Sequence, residues 1–482
     1  MTSAESAAQR ACFVEWRYGA MIVGLGFAMI ATFMYLILSR RVTPVVALIL
    51  VPALFAVVAV ASGAAVLADG GVAAAIMESI KSFAPTAALL FFAIIYFGLM
   101  IDVGLFDPLV RLILRAVGNS PVRLAVGTAV LAGMVSLDGD GSTTFIITVS
   151  ALLPVYLKLG VSPVVLATVA CLANGVLNIV PWGGPTVRAA TVLKVPPNDL
   201  FLPMVPGMIA AIGVVLLFAV LMGRAESRRL QAVGVGTGGG DGPGIVPAHP
   251  GGSAEAELDY EERNPDMVTG LDPRRDTLRP RLIWFNLALT VTLLVLLVFD
   301  VLPLPLLFMG AAAIAIVVNF PDHVDQSERI KAHGASIVSV VAMVFAAAVL
   351  VGVLEGTGMV AAMAHAIVGV VPPGVGHWFA VITGLLSMPL TFFMSNDAFY
   401  FGVLPILSEA AANYGIAPEQ MARAAIVGQP VHLTSPLVPA MLLLISLARV
   451  ELADFHRKAI WRAVVCSLVM LGVAVALGVV PA

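Results

Sequence analysis

The chain has 482 residues, of which 60% are hydrophobic and only 11% are charged, and its formal net charge at pH 7 is −3. A soluble domain carries about 25% charged residues, so this composition excludes a soluble protein and indicates an integral membrane protein with many helices. The nearly neutral charge argues against nucleic acid as a partner.

The chain begins with a polar, mixed-charge segment, which predicts an N-terminal tail over residues 1–20. The first apolar run is followed directly by Arg40, Arg41 and a second apolar run, so it is predicted to be a retained span and not a cleaved signal. Further runs of spanning length predict ten membrane spans in total. They lie near residues 21–38, 43–67, 84–102, 164–187, 200–223, 282–300, 303–320, 335–354, 419–447 and 459–480.

Two other apolar stretches, residues 122–158 and 377–413, each contain a polar break near the middle. Their halves are too short to cross a bilayer, so we predict two re-entrant hairpins with the polar break at the tip. Irregular backbone at that depth is tolerated only where protein or a water-filled cavity covers it. The predicted fold class is therefore an all-α integral membrane protein with about ten spans and two re-entrant hairpins.

The predicted domain organisation has two membrane halves joined by a long linker. Glycine-rich, acidic and basic stretches follow one another between the halves, which is typical of a disordered cytoplasmic linker. The predicted boundaries are 1–20 for the tail, 21–223 for the first half (hairpin 122–158, broken helix 164–187), 224–281 for the linker, and 282–482 for the second half (hairpin 377–413, broken helix 419–447).

Basic residues in the short loops test this arrangement, because such loops are mostly cytoplasmic. With ten spans and two hairpins, all the basic loops fall on one side of the membrane, and both termini face outward. The first hairpin then opens from the cytoplasm and the second from outside, so the halves are inverted. The basic groups are Arg40 and Arg41, Arg111 and Arg115, Arg224 to Arg229, Arg329 and Lys331, and Arg457 to Arg462.

A repeat at an offset of about 255 residues connects the two halves. Residues 159–163 (Leu-Gly-Val-Ser-Pro) match residues 414–418 (Tyr-Gly-Ile-Ala-Pro), and Pro181 matches Pro436. At this offset, Ser142 aligns with Asp397 and Asn174 aligns with Gln429. Paired interruptions in two related halves are typical of a transporter whose substrate binds at the repeat interface. The full fold-class prediction is therefore an inverted-repeat transporter with broken helices at the midplane.

The two hairpin tips carry most of the predicted ligand oxygens. Carboxylates and amides are costly within hydrocarbon and usually mark a functional site. Glycines allow the backbone to turn there, while carboxylate and hydroxyl oxygens suit a hard cation or a proton. The predicted binding residues are Asp138, Gly139, Asp140, Gly141, Ser142 and Thr143 in the first tip, and Ser395, Asn396 and Asp397 in the second.

The two broken helices supply the remaining predicted binding residues. Proline and glycine interrupt the helix there, and the helix N-termini that result can hold carboxylates. Arg188 is a candidate anion ligand, and His432 a candidate for proton or ligand handling. The predicted residues are Asn174, Asn178, Gly183, Gly184, Thr186 and Arg188 in the first break, and Gln429, His432, Thr434 and Ser435 in the second.

The charges of these four segments narrow the substrate class. Three acids, Asp138, Asp140 and Asp397, would repel a free tricarboxylate. The same anion wrapped around a divalent cation, or protonated, would meet much less repulsion. The three acids are therefore the predicted metal-contacting residues, although the substrate itself would supply most of the metal's ligands. No resident cofactor is predicted, because the divalent metal belongs to the transported complex.

Long segments of the chain resemble the citrate–divalent-metal/proton symporter family (CitMHS), a branch of the ion transporter superfamily. The resemblance implies proton-coupled uptake of citrate complexed with a divalent metal such as Mg²⁺ or Ca²⁺, across a bacterial-type inner membrane. It also implies elevator-like movement of a transport domain against a scaffold that forms a homodimer. The most specific segments are residues 26–30, 96–108, 136–144, 174–185 and 428–436.

Three alternatives remain open at this point. A sodium-coupled di- or tricarboxylate carrier and a sodium/proton antiporter keep the fold and change the cargo, with hydroxyl and amide oxygens as sodium ligands. An intramembrane hydrolase would use Asp138 or Asp140 with Asp397 as an acid and base pair. No Gly-x-x-x-x-Gly-Lys-Ser/Thr nucleotide-binding loop is present in the sequence, which argues against direct use of ATP.

Overall fold

The computed structural model describes residues 3–39, 41–63, 70–139, 141–232, 275–299, 301–370 and 372–482, with the side chains of 3–19, 38, 298 and 373 outside the description. These ranges are helical and contain no β-strand. The first half contains α1 (Ser3–Leu38), α2 (Pro44–Ala61), α3 (Gly71–Asp102), α4 (Asp107–Val117), α5 (Pro121–Val135), α6 (Gly141–Lys158), α7 (Pro163–Leu177), α8 (Gly184–Val192) and α9 (Pro197–Ala232).

The second half repeats this pattern of long and short helices. A π-helical turn at Ala398–Val403 precedes α16. The helices are α10 (Ile283–Val298), α11 (Leu304–Asn319), α12 (His323–Ala332), α13 (Gly334–Gly356), α14 (Met359–Val370), α15 (Phe379–Phe393), α16 (Leu404–Ala412), α17 (Pro418–Ile426), α18 (Gln429–His432), α19 (Pro439–Ala448) and α20 (Leu452–Ala476).

Ten helical stretches within the described residues are long and apolar enough to cross a membrane, so the predicted number of spans is confirmed. The helices that make up this count differ from the predicted spans. They include both arms of the first predicted hairpin and the first arm of the second. Three predicted spans, 164–187, 303–320 and 419–447, contain only shorter helices, two of them because a break divides the span. The depth of the hairpins in the bilayer stays a prediction.

Several helices extend beyond their predicted limits. Helix α1 begins at Ser3, so the predicted tail is helical from that residue onward. Helix α3 begins at Gly71, 13 residues before its predicted start, and its 32 residues span about 48 Å, well over the bilayer core of about 30 Å. The prediction stopped where the apolar run stopped, at charged Glu78 and Lys81, but a helix tolerates exposed charges outside the hydrocarbon.

The two ends of the predicted linker belong to the folded part of the protein. Helix α9 continues to Ala232, and residues from Arg275 onward are again described, so ordered structure extends into both ends of the predicted linker. The side chain of Arg275 is 5% exposed and its Nε donates to the carbonyl oxygen of Asp102 at 2.9 Å. Arg279 donates from its backbone to Val103 and from Nε to Asn319. Residues 233–274 lie outside the described part.

Helices α3 and α13 pack side by side and are flanked by α2 and α11. Small residues permit this close approach. A Cβ atom on Gly352 would lie 2.5 Å from Cα of Ile76, and one on Gly356 would lie 2.7 Å from Cβ of Ala75. The predicted tips and breaks lie in a different group of helices, formed by α5 to α9 and α15 to α20.

The packing within this second group is reciprocal between the halves. Helix α6 contacts α19, while its counterpart, the π turn with α16, contacts α8, the counterpart of α19. Helix α7 contacts α20, and likewise α17 contacts α9. When a helix and its counterpart contact equivalent helices of the opposite halves in this way, the two halves are related by an approximate two-fold axis. The structure therefore agrees with the repeat at an offset of 255, and α9 and α20 begin at equivalent residues, 197 and 452.

Candidate functional site

The first tip is a short turn held against the first helix break. Residues Ser136–Asp138 form one 3-10 turn, and Gly139 follows with φ of +81°, a conformation that glycine adopts without strain. A Cβ atom on Gly139 would lie 3.1 Å from the Trp182 ring and 3.4 Å from Cα of Gly183. Because of this close contact, tip and break form one compact unit.

Amide side chains at equivalent positions connect each break to the tip of its own half. Asn174 is fully buried and donates from Nδ2 to Ser136 Oγ at 2.9 Å and to Thr144 Oγ1 at 3.2 Å. Gln429, 255 residues later, donates from Nε2 to Asn396 Oδ1 at 3.0 Å. The same nitrogen donates to the hydroxyl of Tyr400 at 2.8 Å, and Gln429 Oε1 accepts from Asn396. The alignment of Asn174 with Gln429 therefore has a structural basis.

A second pair of hydrogen bonds has acceptors at equivalent positions in the two halves, although the donors are not equivalent residues. The indole Nε1 of Trp182 donates to the carbonyl oxygen of Leu137 at 2.8 Å. The hydroxyl of Ser435 donates to the carbonyl oxygen of Phe392 at 2.5 Å, and Phe392 is the equivalent of Leu137. Each broken helix thus donates a side-chain hydrogen bond to the equivalent backbone carbonyl group of its own hairpin.

Trp182→Phe is expected to lower the free energy of unfolding by about 1–3 kcal/mol, because it leaves the Leu137 carbonyl group without its donor. The aromatic ring would still stack on Phe97, with ring centroids 5.6 Å apart. Thermal unfolding in detergent measures the change. Trp461→Phe, at a half-exposed tryptophan of α20, is the matched control and should unfold like the wild type. Equal unfolding of both variants would contradict the role of the Trp182 hydrogen bond.

An ion pair joins the first break to the second tip. Arg188 Nε contacts Asp397 Oδ1 at 2.6 Å, and the two side chains are 22% and 12% exposed. Arg188 lies one turn after Gly184, where a Cβ atom would come within 2.7 Å of the Arg188 guanidinium. The absent side chain of Gly184 therefore makes room for Arg188. An ion pair this buried needs both partners, because a single uncompensated charge there is costly.

Helix α8 brings the two tips to one region. Gly139 of the first tip packs on Gly183, and Asp397 of the second tip contacts Arg188. Five residues of helix separate these contacts, a rise of about 7.5 Å. Residues 183–188 therefore contact both tips, and a binding site shared by the two tips stays a prediction.

The two broken helices cross at equivalent residues. A Cβ atom on Gly175 would lie 2.7 Å from Cα of Pro430, and residue 430 is the equivalent of residue 175. Near a two-fold axis, a residue meets its own counterpart. The pseudo-two-fold axis therefore passes close to this crossing, within the group of predicted binding residues.

Several predicted binding residues bond to the backbone and support the local turns. Thr186 donates to Ile179 at 2.8 Å, Thr434 donates to Val431 at 2.7 Å, and His432 Nδ1 donates to Thr391 at 2.7 Å. Asn178 ends α7, with its backbone N–H bonded to Asn174. Ser395 Oγ accepts from the backbone of Ala398. These groups stabilise the breaks, and any role of theirs in binding stays a prediction.

The remaining predicted residues of the first tip lie around the same turn. Asp138 and Ser142 are partly buried, and Thr143 is buried. A Cβ atom on Gly141 would lie 3.3 Å from Asn174 Oδ1, so this glycine faces the first break. Asp140 lies outside the described residues. The described part of the chain contains no group of three histidine, cysteine, aspartate or glutamate side chains suited to a metal, and the metal set Asp138, Asp140 and Asp397 stays a prediction.

Sequence reasoning missed four side chains that build the site. Ser136 and Tyr400 bind the two amides, Trp182 binds the first tip, and His456 Nε2 donates to Thr434 at 2.8 Å. Tyr400 stands four residues after Asn396, so helical spacing could have indicated it. His456 lies in α20, far from any polar break in the sequence, and no sequence signal points to it.

Two solved structures share this fold. The YdaH transporter of Alcanivorax borkumensis has a TM-score of 0.52 and 17% identity, with 84% of this chain and 88% of that chain covered. MtrF of Neisseria gonorrhoeae has a TM-score of 0.50 and 14% identity, with 82% and 83% covered. At these identities the likeness concerns the fold alone, which is that of membrane transporters.

Closer relatives come from Bacillus subtilis (strain 168). A citrate transporter is 44% identical over 461 residues, covering 95% of this chain and 100% of the relative. A Mg(2+)/citrate complex secondary transporter is 41% identical over 460 residues, covering 95% and 99%. The citrate transporter family profile matches residues 23–428. These similarities indicate a multi-pass membrane transporter and not an enzyme, which removes the hydrolase alternative, and the chain belongs to the citrate transporter family.

Proposed function

We propose that the protein is a secondary transporter that takes up citrate complexed with a divalent cation, together with protons. The observation that carries the proposal is the Arg188–Asp397 pair, which places a cation and a carboxylate from different halves at one point. Guanidinium groups hold carboxylates well, because their geometries match. Arg188 can therefore receive a carboxylate of citrate, and we assign contact with the metal to Asp397 and Asp138.

The charge of the site supports a metal complex as cargo. Three acids and one arginine are predicted in this site, so free citrate would meet net repulsion. A divalent cation removes much of the charge of citrate and offers open coordination positions to carboxylate oxygens. The resemblance to a Mg²⁺/citrate transporter points in the same direction.

Proton coupling, elevator movement, a homodimer and a bacterial-type inner membrane location complete the proposal. Asp397 and Asp138 are the groups that a proton could neutralise during crossing. The separation of the α2–α3–α11–α13 group from the group that holds the tips and breaks supports a moving domain and a fixed one. Cross-linking in membranes tests the homodimer.

We expect uptake of labelled citrate into proteoliposomes to require a divalent cation. The assay compares Mg²⁺, Ca²⁺, Zn²⁺ and Fe³⁺, each at equal citrate and with an inward proton gradient. Uptake should fall to the level of empty vesicles when a chelator removes the metal, because free citrate is repelled. Equal uptake with excess chelator would contradict metal–citrate transport, and an unchanged rate without the pH gradient would contradict proton coupling.

Sodium coupling is the second candidate, and one observation favours it. Asn174 Oδ1 is buried and has no hydrogen-bond partner in the described residues, whereas both amide atoms of the equivalent Gln429 are paired. Oxygens of Thr144 and Ser136 lie beside the Asn174 amide group. An amide oxygen of this kind could complete a sodium shell. Uptake driven by a sodium gradient, with no pH gradient and no divalent metal, would select this candidate.

A further inference from the structure

We propose that Asp397 is an internal stand-in for the substrate. In the empty carrier its carboxylate neutralises Arg188, and a substrate carboxylate later takes its place on the guanidinium. The inference rests on the proposed function and deepens it, because it explains how an empty transporter returns across the membrane and why an anion is carried only with a cation.

The geometry of the pair carries the first step. Arg188 Nε and Asp397 Oδ1 are 2.6 Å apart, and each side chain keeps some exposure, at 22% and 12%. The two groups are therefore in direct contact, and neither side chain is completely enclosed. Since Arg188 belongs to α8 and Asp397 to the second tip, the exchange of one carboxylate for another on Arg188 would also loosen the link between the halves.

The repeat carries the second step, because the equivalent contact in the other half shows whether this packing requires charged residues. The residue equivalent to Asp397 in the first half is Ser142, and the residue equivalent to Arg188 in the second half is Leu443. The same crossing of tip and break thus forms in the other half without an ion pair. The two charges are not a requirement of this packing, which favours a role in transport.

The surroundings of Asp397 define the charges that it meets. Arg188 faces it from α8, His432 lies on α18 among the same break residues, and Tyr400 follows one turn later on its own segment. Glu355 of the neighbouring α13 is paired with Lys194 at 2.8 Å. Among the described residues, Asp397 is the acid that forms an ion pair with Arg188.

Electrostatics then explains why the anion and the cation cross the membrane together. A bare arginine or a bare carboxylate in a low-dielectric interior costs several kcal/mol, whereas the pair is neutral. An empty carrier with its internal pair can return. A carrier that holds a citrate carboxylate on Arg188 has released Asp397, whose charge must be neutralised by the cation of the cargo or by a proton. Anion and cation therefore move together.

The test separates two modes of transport in proteoliposomes with Mg²⁺ on both sides. Exchange of labelled for unlabelled citrate uses only the loaded carrier, while net uptake also needs the empty carrier to return. We expect Asp397→Asn to lower net uptake at least tenfold more than it lowers exchange, because only net uptake needs the internal pair on the returning carrier. Asp397→Glu, which keeps the carboxylate, should retain both modes.

The outcomes are distinct from one another. The Asp397→Asn variant is first shown to elute from a size-exclusion column as the wild type does. If it then loses exchange and net uptake equally, or loses neither, the inference is overturned. If Asp397→Asn does not fold, Asp397→Ala is measured with and without acetate, and restored net uptake with acetate supports the stand-in role, while no restoration overturns it. A wild-type protein that exchanges no citrate would first refute the proposed function, and the stand-in role would fall with it.

Discussion

Replacing Arg188 by glutamine is expected to reduce metal–citrate uptake about 100-fold or more. Arg188 lies on α8 beside the second tip, with its Nε 2.6 Å from Asp397 Oδ1. Removing one member of a buried pair costs about 3–5 kcal/mol, and about 1.4 kcal/mol corresponds to a factor of ten. The glutamine side chain keeps some hydrogen bonding but loses the charge that a substrate carboxylate needs.

The measurement is the initial rate of labelled citrate uptake at low citrate concentration, in proteoliposomes with equal amounts of each protein. Lys81→Gln is the matched control, because it also replaces a cation by an amide. Lys81 pairs with Glu78 at 3.4 Å, but both side chains are more than two thirds exposed, and such pairs contribute little. The control should stay within about twofold of the wild type. Uptake by Arg188→Gln within tenfold of the wild type would contradict the role of Arg188 as the carboxylate receptor.

Gly175→Ala is expected to destabilise the protein by about 1–3 kcal/mol and to impair transport. The added methyl group would lie 2.7 Å from Cα of Pro430 and 3.4 Å from its nitrogen, both backbone atoms that cannot move aside like the end of a side chain. Overpacking of this kind forces the backbone to shift. The shift would fall at the crossing of the two broken helices, where it would separate the tips from each other.

Gly213→Ala in α9 provides the control for this change. Nothing lies within 4 Å of a Cβ atom at residue 213, so alanine meets no obstacle there. Alanine also favours a helix over glycine by roughly 0.5–1 kcal/mol, so this variant should be as stable as the wild type or slightly more stable. Thermal unfolding in detergent and citrate uptake are measured for both variants. A Gly175→Ala protein with wild-type unfolding and uptake would show that the crossing is not tightly packed.

Much of the site could be predicted from the sequence, because polar groups in long apolar runs stand out. The offset of 255 correctly paired Asn174 with Gln429, and the structure gives each of them the same task of binding its own tip. Pro181 and Pro436 correctly indicated that both helices break. These features are local in sequence, since the cost of placing polar groups in hydrocarbon is the same wherever the helix lies.

Other features depended on contacts between distant residues. The partner of Arg188 could not be read from the sequence, since 209 residues separate it from Asp397. The same holds for His456, which reaches the carbonyl group of Thr434 from another helix, and for Arg275, which docks on the end of α3. Helix limits such as Gly71 and Ala232 were also missed, because apolar content stops at the membrane boundary and helical hydrogen bonding does not.

Composition and the pattern of apolar runs were thus sufficient to establish the membrane class, most of the spanning helices, the repeat and the position of the breaks along the chain. Only the tertiary structure shows which of these polar groups pair with one another. Hydrophobic burial acts on each segment separately and leaves its pattern in the sequence, whereas an ion pair or a hydrogen bond across the repeat interface exists only once packing brings its two atoms within about 3 Å.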